Sequence, residues 1–171
     1  MEIVIRDAVL SDSETIIEIM DLAHEAMADK DAYITDDLPY IQAHITEKGF
    51  GLMAEVDGIP AGFFVVAVPE LDENNLGYDL GYGTKQLLET AMMDTAAVLP
   101  KYQGLGLMGR MFAEAVARAE RDYPRLLGTV HPDNTPSRRN FEKNGFTVQK
   151  KLVKPSGSRR LLMGRFREIP E

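Results

Sequence analysis

The 171-residue sequence contains no cysteine. That absence excludes a disulfide scaffold, thiolate zinc sites and thiol catalysis, and it fits a reducing compartment. Histidine is scarce, with three residues. His24, His44 and His131 do not pair at metal-ligand spacing, so no metal site is expected. Positive charge is in deficit: 19 Lys and Arg stand against 27 Asp and Glu, for a formal net charge of −8. A negative body disfavours general binding to nucleic acid or to an anionic membrane, while leaving room for one small basic pocket. Long apolar runs are missing as well. The longest, Ala61 to Val68, has the length of a strand and falls far short of the ~20 residues that span a bilayer. The opening Met1-Glu2-Ile3-Val4-Ile5-Arg6 lacks the basic region and apolar core of a secretion signal, and neither end offers a lipid-acceptor residue. A cytoplasmic protein is expected.

What is present suffices for a folded domain. Hydrophobic residues make up 44% and charged residues 27% of the chain, and the length predicts a single domain over residues 1–171. Ile3-Val4-Ile5 reads as a strand. Ser11-Asp12-Ser13-Glu14 has the Ser-x-x-Glu spacing of a capping box, and Ile16, Met20, Ala23 and Met27 continue it as an amphipathic helix. A second helix is expected from Asp36 to Lys48, ended by Gly49 or Gly51. Residues 51–56 and 61–68 form a hairpin around Asp57-Gly58. Pro69 to Lys85 reads as a long loop, Ala91 to Leu99 as a mostly buried strand, and Leu105 to Arg121 as a helix stopped at Tyr123-Pro124. Leu126 to Val130 is a fifth strand, Asn134 to Lys143 a short helix, and Phe146 to Phe166 a hairpin around Pro155-Ser156-Gly157-Ser158. Strands and helices alternate, which makes the fold class mixed α/β.

The chemistry concentrates between Val98 and Gly109. A buried strand runs through a short turn into a glycine-rich helix start. The first amides of a helix lack intrahelical partners and lie at the positive end of its dipole. Gly104 and Gly106 carry no Cβ, and Lys101 adds charge, so a pyrophosphate is the natural guest. A plain turn with glycines that ease packing is the structural alternative. Gly104, Gly106 and Gly109 also satisfy the dinucleotide-binding Gly-x-Gly-x-x-Gly spacing, but Thr129 and its uncharged neighbours stand where that motif needs an acid.

A second segment runs from Val130-His131-Pro132-Asp133-Asn134 through Ser137 to Phe141-Glu142-Lys143-Asn144-Gly145-Phe146. Together the two resemble the GNAT superfamily of N-acetyltransferases. Gln103, Gly104, Leu105, Gly106, Leu107 and Met108 match its Arg/Gln-x-x-Gly-x-Gly/Ala motif except at Met108, where a small residue is usual. Asn134 and the aromatic-x-x-x-Gly-Phe ending match its next signature, and Ile5-Arg6-Asp7-Ala8 with Ser11-Asp12 is similar to its opening. The likeness covers essentially the whole chain in order.

The resemblance implies a central twisted, mostly antiparallel sheet flanked by helices, with its fourth and fifth strands splayed apart. It implies acetyl-CoA as acyl donor, without a metal. The pantetheine arm would pair with Ala97, Val98 and Leu99. The pyrophosphate would lie on the amides of Gln103, Gly104, Leu105, Gly106, Leu107, Met108 and Gly109, with Asn134, Ser137 and Phe141 on the other side. Met108 departs from the pattern and crowds the cofactor, while Gly109 restores some room. The reaction implied is acetyl transfer to a primary amine of a small molecule or peptide by direct attack in a ternary complex. The alternative is a catalytically weak or inactive CoA-binding regulatory module. A nucleotide-binding protein that uses the glycine loop is a further rival. A homodimer is left open.

Amine acetylation needs a base, a polarised carbonyl and a proton for the leaving thiolate. Asp94, which interrupts an apolar strand and by alternation shares a face with Met92 and Ala96, is the candidate general base. Pairing with a core polar group, or exposure at a strand irregularity, explains it equally well. Amides near Ala97 and Val98 would stabilise the oxyanion. The resemblance implies a tyrosine acid at position 141, where Phe141 has no proton to give. Tyr102, Tyr78 and Tyr82 are substitutes that spacing does not separate. Tyr78 and Tyr82, with Asp72, Glu73 and Asp79, make an acidic rim suited to an amine acceptor. His131 reads as a strand-end residue, with substrate binding or proton relay as the alternative. Arg138 and Arg139 read as a solvated helix face, with the CoA 3′-phosphate as the alternative, and Arg159-Arg160 as turn charge.

Overall fold

Ile3–Asp7 (β1) opens a seven-stranded sheet in the computed structural model, which describes residues 1–167. The other strands are β2 (Gly49–Val56), β3 (Ile59–Ala67), β4 (Thr90–Val98), β5 (Arg125–Val130), β6 (Thr147–Val153) and β7 (Arg159–Phe166). Their order across the sheet is β1-β2-β3-β4-β5-β7-β6, and only β4 and β5 are parallel. The mixed α/β class and the mostly antiparallel sheet are as expected. Asp57 and Gly58 turn the β2–β3 hairpin with φ of 51° and 78°, the conformation that Asp-Gly favours.

Strand alternation sorts the core into two layers. Leu52, Ala54, Phe64 and Val66 face α4 (Leu107–Asp122), which buries Met111, Phe112, Ala115, Val116 and Ala119 against them. Met53, Phe63 and Val65 face the opposite way. They are covered by Ile16, Ile19 and Met20 of α1 (Ser13–Ala26) and by Ile41 of α2 (Leu38–His44). Each fully buried side chain of this size contributes about 1.5–3 kcal/mol.

Three expectations change. α1 starts at Ser13 and not through a Ser11–Glu14 box. The Asp12 carboxylate instead accepts the Val9 N–H at 2.7 Å and the two Arg6 guanidinium nitrogens at 2.9 Å each, so a strand arginine fixes the helix start. α2 is shorter than Asp36 to Lys48: Asp37 caps it by accepting from Tyr40 N–H, and it ends at His44. The stretch 69–85 is not a plain loop. It holds a 3₁₀ turn at Leu76–Leu80 and the start of α3 (Thr84–Leu88), tied down by the buried Asn75 side chain, which donates to Glu70 O and Leu87 O.

Two irregularities in β4 prepare the site. The β3–β4 register pairs Val65 with Thr95 and Val66 with Met93, which leaves Asp94 as a bulge residue. The bulge reverses the alternation. Ala91 and Met93 face α4, and beyond the bulge Ala96 and Val98 do, while Ala97 turns to the α1–α2 layer. Asp94 therefore does not share a face with Ala96. On the other edge, β4 pairs with β5 only from Thr90–Arg125 to Met93–Gly128, and the two strands then part.

Candidate functional site

Leu99 N–H donates to Ala61 O at 2.8 Å. In an antiparallel ladder successive residues turn their polar groups to opposite sides. The backbone of Ala97 thus faces β3, and that of Ala96 and Val98 faces the gap left by β5. Of the amides expected near the reacting carbonyl, Val98 has the free one.

The chain then turns through Pro100–Tyr102 into the start of α4. Gly104 and Gly106 adopt φ of 86° and 75°, and a Cβ on either would meet nothing within 4 Å, so backbone conformation and not crowding demands glycine here. Gly106 caps α4 without a side-chain bond, and the helical ladder begins with Arg110 N–H to Gly106 O. The amides of Leu107, Met108 and Gly109 precede it and have no partner in the helix. A cavity of about 400 Å³ opens there, lined by Val98, Gln103, Met108, Arg139 and Lys143 among others. Across it stands α5 (Thr135–Lys143), capped by Asn134, whose Oδ1 accepts Ser137 N–H at 3.3 Å. Arg139 thus faces the helix start of α4, while Arg138 turns to Pro132 O and Glu142.

A larger cavity, about 570 Å³, occupies the parted strands and has the size of a small-ligand site. Ala96, Ala97, Val98, Met108, Asn134, Ser137 and Phe141 line it together with Asp94. Phe141 is buried in an edge-to-face cluster with Phe112 and Phe146, at centroid distances of 4.9 and 5.1 Å. Its ring edge lies 2.7 Å from where a Cβ on Gly128 would sit, so Gly128 is what lets the ring in.

Asp94 Oδ2 accepts the Tyr40 hydroxyl at 2.6 Å. The Tyr40 ring stacks on His44 at 3.8 Å, and His44 Nδ1 lies 2.8 Å from Tyr40 O. Burial drives the Asp94 pKa up, and the Tyr40 hydrogen bond and nearby His44 offset this only in part. Asp36 is pushed up to about 6 by burial and by the charges of Asp94 and Asp37. The Tyr33 hydroxyl, 3.1 Å from Thr95 Oγ1, is held protonated by burial and also faces the cavity.

The remaining wall is polar. His131 is buried; its Nδ1 accepts Asp133 N–H at 3.1 Å, which leaves the proton of a neutral ring on Nε2, near Asp29 and Asp31. Arg160 is only 5% exposed and is not turn charge. Its guanidinium donates to Ser158 Oγ, Arg159 O and Asp31 O, and it lines the larger cavity.

The sequence-predicted residues do not all converge. Leu99 packs in the α1–α2 layer and Leu105 against the α4 layer, and neither lines a cavity. The Tyr78 hydroxyl donates to Leu71 O, and Tyr82 carries the Arg125 guanidinium on its ring; both lie outside the two cavities. Tyr33, Tyr40 and Arg160 were not among the expected site residues. Only Arg160 left a trace, alternating with the inward Leu162 along β7. Among the described residues, no cluster of His, Asp or Glu is arranged to hold a metal ion.

Residues 15–146 match the model of the acetyltransferase (GNAT) family. No curated protein matches the sequence. Solved structures do. YncA from Salmonella typhimurium, which holds acetyl-CoA, superposes with a TM-score of 0.73 at 20% identity, over 96% of this chain and 93% of that one. The ribosomal-protein-S18-alanine N-acetyltransferase of Escherichia coli gives 0.74 at 16% identity, over 99% and 97%. The ribosomal-protein-alanine N-acetyltransferase of Brucella melitensis gives 0.73 at 19%, over 95% and 99%.

Proposed function

The chain belongs to the GNAT acetyltransferase family, and from that premise we propose that it moves the acetyl group of acetyl-CoA directly onto a primary amine of a small molecule or peptide. The observation that carries this reading is the parting of β4 from β5 beside an uncapped, glycine-flanked helix start. The donor set fits the cosubstrate. The amides of Leu107, Met108 and Gly109, with Arg139 and Lys143, suit a diphosphate, and the free backbone of Ala96 and Val98 suits an extended amide-bearing arm.

The chain's residues then divide the work. Asp94 accepts the proton that the amine loses as its nitrogen bonds to the acetyl carbon; a raised pKa suits a base at neutral pH. Val98 N–H stabilises the oxyanion. As the carbon–sulfur bond breaks, the CoA thiolate leaves without an acid at position 141, a thiol being far more acidic than an amine, and takes its proton from water. A cytoplasmic setting belongs to the same proposal; no described helix is long and apolar enough to cross a membrane.

A CoA-binding module with little turnover is the second reading, favoured by Phe141 and by Met108 at the crowded end of the cavity. Release of free CoA thiol from acetyl-CoA across an amine panel separates the two: amine-dependent release supports the enzyme, and binding without release supports the module. Calorimetry with no heat at millimolar acetyl-CoA would remove both. A thermal shift with NAD or ATP that exceeds that with acetyl-CoA would favour a nucleotide-binding protein instead.

A further inference from the structure

The protein carries a formal charge of −8, yet the larger cavity is cationic. Among the described residues that line it, Asp94 is the sole carboxylate, and Lys154 and Arg160 are the two cations. Arg139 and Lys143 face the other cavity, at the start of α4, so the anionic cosubstrate has its own partners. Lys154 makes no ion pair among the described residues. Arg160 spends both Nη1 hydrogens on Ser158 Oγ and Arg159 O and one Nη2 hydrogen on Asp31 O. Among the described residues its Nε–H and second Nη2 hydrogen have no acceptor. Since no described buried side-chain nitrogen lacks a partner, Nε is reached by solvent, and Arg160 lines the cavity. The Asp31 carboxylate, 3.6 Å from Nη1, compensates part of this charge and leaves Lys154 unanswered.

Asp94, Lys154 and Arg160 all line the one cavity of about 570 Å³, so the carboxylate and the two cations face a shared space of small-ligand size.

Resting on the proposed N-acetyl transfer, we infer that the acceptor is zwitterionic: an amino acid whose amine points at Asp94 and whose carboxylate is bound by Lys154 and Arg160. A guanidinium with two free donors beside a lysine recognises a carboxylate by charge-assisted hydrogen bonds.

The test is a paired panel with saturating acetyl-CoA: each protein amino acid beside its amide, plus L-leucine against 3-methylbutylamine and L-lysine against cadaverine, read by thiol release. An amide has more of its amine neutral at a given pH, so a site blind to the carboxylate would favour the amide. The expected result is kcat/KM at least about tenfold higher for the accepted amino acids. Lys154→Met and Arg160→Met should raise KM for them by about tenfold, change kcat less, and bring the ratio of acid to amide within about twofold. Lys154 is exposed, so Lys154→Met serves even if Arg160→Met does not fold. Equal or better turnover of the amides, a ratio that survives Lys154→Met, or silence of every amino acid overturns the inference. If acetyl-CoA binds and plain amines are acetylated, only the zwitterion falls; if acetyl-CoA fails to bind in calorimetry, the proposed function falls too.

Discussion

Asp94 is a carboxyl placed where strand pairing lapses; burial raises its pKa, and neighbours from another element, Tyr40 and His44, offset that in part. Its interruption of an apolar run made it legible in the sequence. Tyr40 and His44 lie some fifty residues earlier, and no local pattern ties them to it; only the packing of α2 on the sheet does. Asp94→Asn should lower kcat/KM by about 10²–10³-fold, the usual worth of a general base, with acetyl-CoA affinity held in calorimetry. Tyr40→Phe removes a donor that favours the charged carboxylate, so the Asp94 pKa rises further. The acid limb of the pH profile of kcat/KM should move to higher pH in that variant, with the rate recovering on the alkaline side. An unmoved limb would show that the titrating base is another group.

At the scale of elements, the sheet and the flanking helices were readable because period-two and period-3.6 patterns survive in single sequences. The glycine loop and the Asn134 helix were readable for another reason, the spacing of their glycine, asparagine and aromatic residues. What escaped was produced by pairing. The bulge at Asp94 shifts β4 by one residue and moves Ala96 to the other face, and Arg6 of β1 overrides the Ser11–Glu14 cap. The 69–85 segment looked like a loop because its turn and short helix are held by Asn75 and not by apolar periodicity. The fit of α5 against β5 makes a sharper prediction. Gly128→Ala would push a methyl into the Phe141 ring edge, with Met93 O 3.2 Å away on the other side, and should destabilise the fold by about 1–3 kcal/mol in urea unfolding.

For the whole molecule, the cost of assembling this site appears as pH-dependent stability. Asp36 titrates near 6 when folded, against about 4 for a free aspartate, so the folded state binds more protons between those values. Its favourable contribution is present below about pH 4 and lost as pH rises through 6. Asp12 has the opposite sign: Arg6 holds its pKa down, and that stability is lost as the solution is acidified below the usual aspartate range. Asp36→Asn should therefore stabilise the protein at pH 7 by about 1 kcal/mol, a figure reduced for the solvent that still reaches the side chain, and should flatten the decline in urea midpoint between pH 4 and 6.

Among the described residues the short β4–β5 ladder, four register pairs long, is the only strand pairing between the β1–β4 sheet and the β5–β7–β6 ribbon. Past Met93 and Gly128 the two halves behave like the jaws of a clothes-peg sprung at one end. A strand-like guest laid along Val98 would complete the missing rungs, so the loaded protein should resist prising apart at a place where the empty one is already open.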